Sequence, residues 1–141
     1  MYANAHHSAQ AYTHVGLETN ILGASPHRLI VLLYEGAELS IRMAIKHIDD
    51  GDLMKKSAAI TKACSIVHDG LRAALDPAQG GEVARQLDAL YDYMNKRLML
   101  AHLRNDTAPL EEVLGLLREL REAWQHIGTT PHPAHLQPVA V

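Results

Sequence analysis

Phenylalanine is absent from this chain, tryptophan and cysteine occur once each, and aromatic residues make up only 4% of the 141 positions. A single cysteine cannot close an internal disulfide, so the fold must rest on packing. A core poor in rings must be built from aliphatic side chains, and the 48% hydrophobic content is mostly Ala and Leu, both good helix formers. Charge of one sign is also scarce: 13 Lys and Arg stand against 16 Asp and Glu, a net charge of -3. No basic surplus is available to neutralise a phosphate backbone, which argues against nucleic acid as a partner. No segment reaches the roughly 18 apolar residues of a membrane span, and no charged start is followed by an apolar signal run. The chain therefore reads as one soluble, cytoplasmic, all-α domain with a single core.

Helix boundaries are written in the turn residues. An arm over residues 1–24 has few large apolar positions beyond Tyr2, Tyr12, Val15 and Leu17 and promises at most a short, weakly held helix. Ser25-Pro26 reads as a helix start, since the Ser oxygen can cap free N–H groups and Pro is pre-set for the first helical position. That helix should run to Asp49 or Asp50, where Gly51 stops it. Asp52 caps a second helix carrying Leu53, Ile60, Ala63, Val67, Leu71 and Leu75, which ends at Asp76-Pro77 and the Gly80-Gly81 turn. A third starts near Glu82 and aligns Val83, Leu87, Leu90, Met94, Leu98 and Ala101 until Asn105-Asp106. A fourth opens around Thr107 to Pro109 and aligns Leu110, Val113, Leu114, Leu117, Trp124 and Ile127 before Gly128. Short connections fold each helix back beside its predecessor, so the expectation is an antiparallel up-down four-helix bundle over residues 25–127. Residues 128–141, with three prolines and no charge, are expected to be a disordered tail.

Two of these helices carry more apolar surface than a bundle member needs. On the first, Ile30, Leu33, Ala37, Ile41, Ala44, Ile45 and Ile48 form one stripe, and Leu29, Leu32, Gly36, Leu39 and Met43 form a second beside it. On the third, Tyr91, Tyr93, Leu100 and Leu103 lie off the main stripe. Either both helices sit centrally with neighbours on two sides, or the surplus forms a groove for a partner helix.

Catalytic and metal chemistry finds no constellation. Di-iron bundles use Glu-x-x-His pairs, and no Glu here is followed by His at that spacing. His6-His7 and His132-x-x-His135 fall in arms that no core holds, so surface histidines rather than a metal site are expected, and no cofactor. Cys64 and His68 are one turn apart, but Cys64 shares a stripe with Ile60, Val67 and Leu71 and reads as a buried, inert thiol. A histidine phosphotransfer domain would need an exposed His, here His68 or His47, with a cation beside it. His68 has Gly70 and Arg72 nearby but lacks the usual His-x-x-Lys-Gly order.

The residues do resemble a family, the flagellin-specific export chaperones called FliS. The carrying segments begin with Ala24-Ser25-Pro26-His27-Arg28-Leu29, Leu33-Tyr34-Glu35-Gly36-Ala37, Gly51-Asp52, and Ile60 with Lys62-Ala63. They continue with Leu75-Asp76, Gly80-Gly81-Glu82, Leu90-Tyr91-Asp92-Tyr93-Met94, Arg97-Leu98 and Ala123-Trp124. Their order and spacing make the resemblance specific, and it covers about Tyr2 to Ile127. Gly23 stands where the family often has Thr, and Gln86 and His102 where Asn is common.

The resemblance implies a non-enzymatic binding protein: a helical bundle with a short N-terminal cap helix. It would cover the C-terminal helical segment of flagellin, prevent premature polymerisation and support export through the flagellar type III secretion system. The surplus stripes offer a seat for that segment, with Leu29, Leu32, Leu33, Tyr34, Tyr91, Met94 and Leu98 as groove residues for helix-in-groove docking. Tyr12 and Val15 of the arm would form the cap and lie over part of the site as a lid. A monomer or weak dimer is the corresponding oligomeric expectation. The family resemblance also admits regulatory sequestration of a flagellar anti-sigma factor, and transfer to the export gate.

Overall fold

The structure, a computed structural model, describes residues 25–129, with side chains through residue 127. The arm with its expected cap helix, Tyr12 and Val15, the paired histidines and the tail from residue 130 lie outside the described residues. Four helices and no strand occupy what is described: α1 (Pro26–Asp50), α2 (Leu53–Ser65, running on into a π-helical segment, Ile66–Arg72), α3 (Pro77–Arg104) and α4 (Ala108–Thr129).

Local chemistry sets these boundaries. Ser25 Oγ accepts the Arg28 N–H at 3.1 Å, and Pro26 occupies the first turn of α1. At the other end Gly51 takes φ 73°, so its N–H reaches the Ile48 carbonyl at 3.1 Å and the Asp52 N–H reaches that of His47 at 2.9 Å. This Schellman arrangement needs the left-handed conformation that glycine adopts without Cβ strain. Asp52 then caps α2 by accepting the Lys55 N–H at 3.1 Å, so two residues end one helix and start the next. Asp76 caps α3 through Ala78 and Gln79. Asn105, at φ 51°, ends α3, and Asp106 Oδ1 accepts the Ala108 N–H at 3.0 Å to open α4.

Three departures from the expected helices stand out. The sequence pattern suggests one α-helix from Asp52 to Leu75, but the last turns widen to π geometry over Ile66–Arg72, with Ile66, Val67, Gly70 and Leu71 all buried. A wide turn inserted near the end of a helix shifts its face, a feature often found at functional sites. The third helix starts earlier than Glu82: a turn from Pro77 precedes a kink at Gly81, where φ 53° and ψ -126° interrupt the helix before it continues. The helical ladder of α4 also continues through Gly128 to Thr129.

Helix α1 packs against α2 on one side and α4 on the other, while α3 packs against α4, α2 and the π segment. With α1 and α3 on the diagonal, the four helices form an all-α bundle around one core. Aliphatic side chains fill it, as the shortage of rings requires: Ile41, Ile60, Leu71, Met94, Leu98, Leu110 and Leu117 are fully buried. The whole first stripe of α1 faces this core, with Ile45 and Ile48 at its margin.

Polar links across the bundle fix how the helices meet. Tyr34 of α1 and Tyr91 of α3 bring their hydroxyls to 2.5 Å in the centre of the core. Burial pushes both phenols above the usual tyrosine range, so both stay protonated and share one hydrogen bond. Glu38, with only 2% of its surface exposed, accepts from Arg121 Nε at 2.7 Å and ties α1 to α4. Lys56 is buried at the start of α2, where Nζ donates to the His102 carbonyl at 3.0 Å and to Asn105 Oδ1 at 2.6 Å. An ammonium at the free carbonyls of a helix C-terminus meets both their hydrogen-bonding need and the negative end of the helix dipole.

Candidate functional site

The second stripe of α1 lines an apolar groove of about 670 Å³ between α1 and α2. Leu32, Leu33, Gly36, Leu39, Ser40 and Met43 come from α1, and Ala58, Ala59 and Ile66 face them from α2 and the start of the π segment. Leu39 and Met43 are 53% and 47% exposed, an unusual setting for large apolar side chains on neighbouring turns of one helix face. Glu35, His47, Lys55 and Lys62 complete the lining. Burial lowers the pKa of Lys62, because a half-covered ammonium loses part of its hydration. Lys55 is only loosely engaged, 3.9 Å from the Asp52 carboxylate.

The stripe reaches the groove for a geometric reason. Residues 32, 36, 39 and 43 recur at helical spacing beside the core-facing stripe, so a helix packed on α2 along one edge leaves them at the rim of that contact. The α2 wall opposite is made of small residues, Ala58 and Ala59, which give the groove width. For α1 the two alternatives for the surplus stripe are not mutually exclusive. Helix α1 does have neighbours on two sides, and it also keeps an open apolar strip.

The residues expected to line a groove separate into two groups. Leu32 and Leu33 line it, and Leu29 is half-buried one turn earlier. Tyr34, Tyr91, Met94 and Leu98 are instead fully buried in the core and present no surface to a partner in this arrangement. Tyr34 and Tyr91 spend their hydroxyls on each other across the bundle diagonal, a pairing between positions 57 residues apart that helical spacing within one segment does not reveal. Leu39, Met43 and Ile66 are lining residues that the site expectation omits, although Leu39 and Met43 belong to the second stripe.

A smaller hollow of about 330 Å³ lies on α3 among Asn95, Met99, Leu100 and Leu103. Leu100 and Leu103 are the off-stripe residues of that helix, with Leu103 at 75% exposure. Tyr93, also off the stripe, donates to Glu112 of α4 at 2.5 Å, and Arg97 Nε reaches the same carboxylate at 2.7 Å.

The residues considered for chemistry are otherwise engaged. Cys64 is half-buried against the core, and burial pushes its thiol up to about 11, so the nucleophilic thiolate is scarce at neutral pH. His68 is exposed, with Nδ1 2.9 Å from Asp69 Oδ1. Arg72, the cation that a phosphoryl group would need, is held by Asp88 at 2.6 Å and Asp92 at 3.6 Å. Among the described residues no cluster of His, Cys, Asp and Glu could hold a metal ion, and no helix is long and apolar enough to cross a membrane.

Comparison with known proteins adds a second line of observation. Residues 8–131 match the family model described as "Flagellar protein FliS". The chain is 45% identical over 118 residues to the flagellar secretion chaperone FliS of Salmonella typhimurium, covering 84% of this chain and 87% of that protein. It is 41% identical over 116 residues to the flagellar secretion chaperone FliSB of Pseudomonas aeruginosa, covering 82% and 91%. With the FliS protein of Bacillus subtilis it shares 33% identity over 108 residues, covering 77% and 79%.

Proposed function

Because this chain belongs to the FliS family of flagellar secretion chaperones, we propose that it is a non-enzymatic export chaperone whose α1–α2 groove binds the C-terminal helical segment of flagellin. Flagellin that has yet to be exported carries amphipathic helices whose apolar faces pack against other subunits in the filament. Covering those faces in the cytoplasm prevents early polymerisation and keeps the segment ready for the type III export apparatus. The observation that carries this reading is the exposed pair Leu39 and Met43 above a floor of Leu32 and Leu33. An amphipathic helix docks by inserting side chains at i, i+3, i+4 and i+7 into such a strip. Met suits the role because its unbranched, polarizable side chain adapts to the partner's shape.

On this reading Tyr34, Tyr91, Met94 and Leu98 act from behind. They hold α1 in place while Leu32, Leu33, Leu39 and Met43 make the contact. The test is co-expression of the full chain with flagellin that has or lacks its C-terminal segment. Co-purification only with the intact flagellin, and a strongly negative heat-capacity change in calorimetry, are expected, since apolar burial on binding has that signature. Equal capture of both flagellins sinks the proposal.

A further inference from the structure

Gly70 sits in the π segment, buried, with its α-carbon turned toward Leu33 of α1. A β-carbon placed there would meet Leu33 Cδ2 at 3.1 Å, Cδ1 at 3.3 Å and Cγ at 3.7 Å. Carbon atoms pack best at about 3.5–4.0 Å, so the first two distances require Leu33 to yield. Leu33 belongs to both the core cluster and the groove lining, and a close-packed core gives way little. The direction left open is the groove. Ile66, one turn before Gly70 in the same π segment, is itself a lining residue, which puts the contact at that end of the groove.

We infer that Gly70 is a positioning residue for partner binding: its missing side chain is the seat into which Leu33 withdraws, and this keeps one end of the groove deep enough for a large aliphatic side chain of a docked helix. The inference rests on the groove being the flagellin site. Its selectivity is steric, since any side chain at 70 refills that end from below and leaves Leu39 and Met43 untouched. The π geometry contributes by holding Gly70 against α1 while Ile66, Val67 and Leu71 remain buried.

Gly70→Ala in the full chain is expected to weaken binding of the flagellin C-terminal segment by about tenfold or more, the usual scale of an overpacked contact. Measured against Leu33→Val alone, which lacks both δ-carbons that the new methyl would meet, adding Gly70→Ala should cost far less binding than it does in the parent. Gly115→Ala on α4, where a β-carbon meets nothing within 4 Å, is the control and should bind as the parent does. Binding unchanged by Gly70→Ala, or an equal loss from Gly70→Ala in the parent and in the Leu33→Val background, overturns the inference. Methyl NMR of the free full chain reads the same contact without a partner. The Leu33 methyl resonances should shift in Gly70→Ala and stay in place in Gly115→Ala, and static Leu33 resonances in Gly70→Ala overturn the inference. A parent chain that binds no flagellin removes the proposed function and this inference with it, whereas a parent that binds while Gly70→Ala binds equally well removes the inference alone.

Discussion

Helix α1 is closed on one side and open on the other. Toward α3 and α4 it ends in directional polar links, the Tyr34–Tyr91 hydroxyl pair and the Glu38–Arg121 ion pair, each set within apolar packing. Toward α2 its second stripe is buried at Leu32, beside Leu33 of the first stripe, but leaves Leu39 and Met43 exposed near small alanines. A buried polar pair tolerates little displacement, because a donor or acceptor that loses its partner in the core costs more than the bond contributes. An apolar strip has no such geometry to satisfy and takes any complementary apolar face. One helix can therefore anchor the fold with one face and offer the other to a partner.

Breaking the closed side should cost the most. Arg121→Ala strands the Glu38 carboxylate in the core and is expected to destabilise the fold by about 3 kcal/mol, read from urea unfolding. Replacing both members, Glu38→Gln with Arg121→Met, should recover a large part of that loss, because no unpaired buried charge remains. A smaller effect, about 1–2 kcal/mol, is expected for Tyr34→Phe, which leaves the Tyr91 hydroxyl without its partner. The double change with Tyr91→Phe should cost less than the sum of the single changes, and strict additivity would show that the hydroxyls do not act as a pair.

The open side should respond in the opposite sense. Leu39→Ser and Met43→Ser should shift stability by no more than about 0.5 kcal/mol, as for exposed positions elsewhere, while weakening flagellin capture by about tenfold or more. Loss of stability without loss of binding would place the docking surface elsewhere and dissolve the contrast between the two sides.

The mildest effect belongs to the α3–α4 rim. Hydrogen bonds from Tyr93 and Arg97 hold the Glu112 carboxyl below the usual glutamate range. The unfolded chain therefore takes up this proton before the folded one does, and the contribution is complete above the ordinary glutamate pKa and fades as pH falls through the lower folded value. Thermal unfolding followed from neutral to acid pH should lose stability more steeply in the parent than in Glu112→Gln. Parallel curves would mean that the exposed contact contributes nothing measurable.

The sequence sets most helix ends, because Ser25, Gly51, Asp52 and Asn105 act within a few residues of their own backbone, but Asp76-Pro77 reads as the end of α2 although Asp76 opens α3 ahead of Glu82. It also determined that α1 has more apolar surface than one interface can use. Two neighbouring stripes of similar hydrophobicity do not say which will be covered, and only the approach of α2, α3 and α4 sent Tyr34 inward and left Met43 out. Glu38 and Lys56 read as solvated charges within their own helices, and they are buried because Arg121 and Asn105, 83 and 49 residues away, arrive to meet them. The π turn is of the same kind: it joins the burial of Ile66, Val67, Gly70 and Leu71 to the ion pair of Arg72 with Asp88, and neither demand is complete until α1 and α3 are in place. Short-range hydrogen bonds are fixed by sequence spacing, whereas desolvation depends on everything that surrounds a side chain. That is why the elements were legible in the sequence and the assignment of core and groove belonged to the tertiary fold.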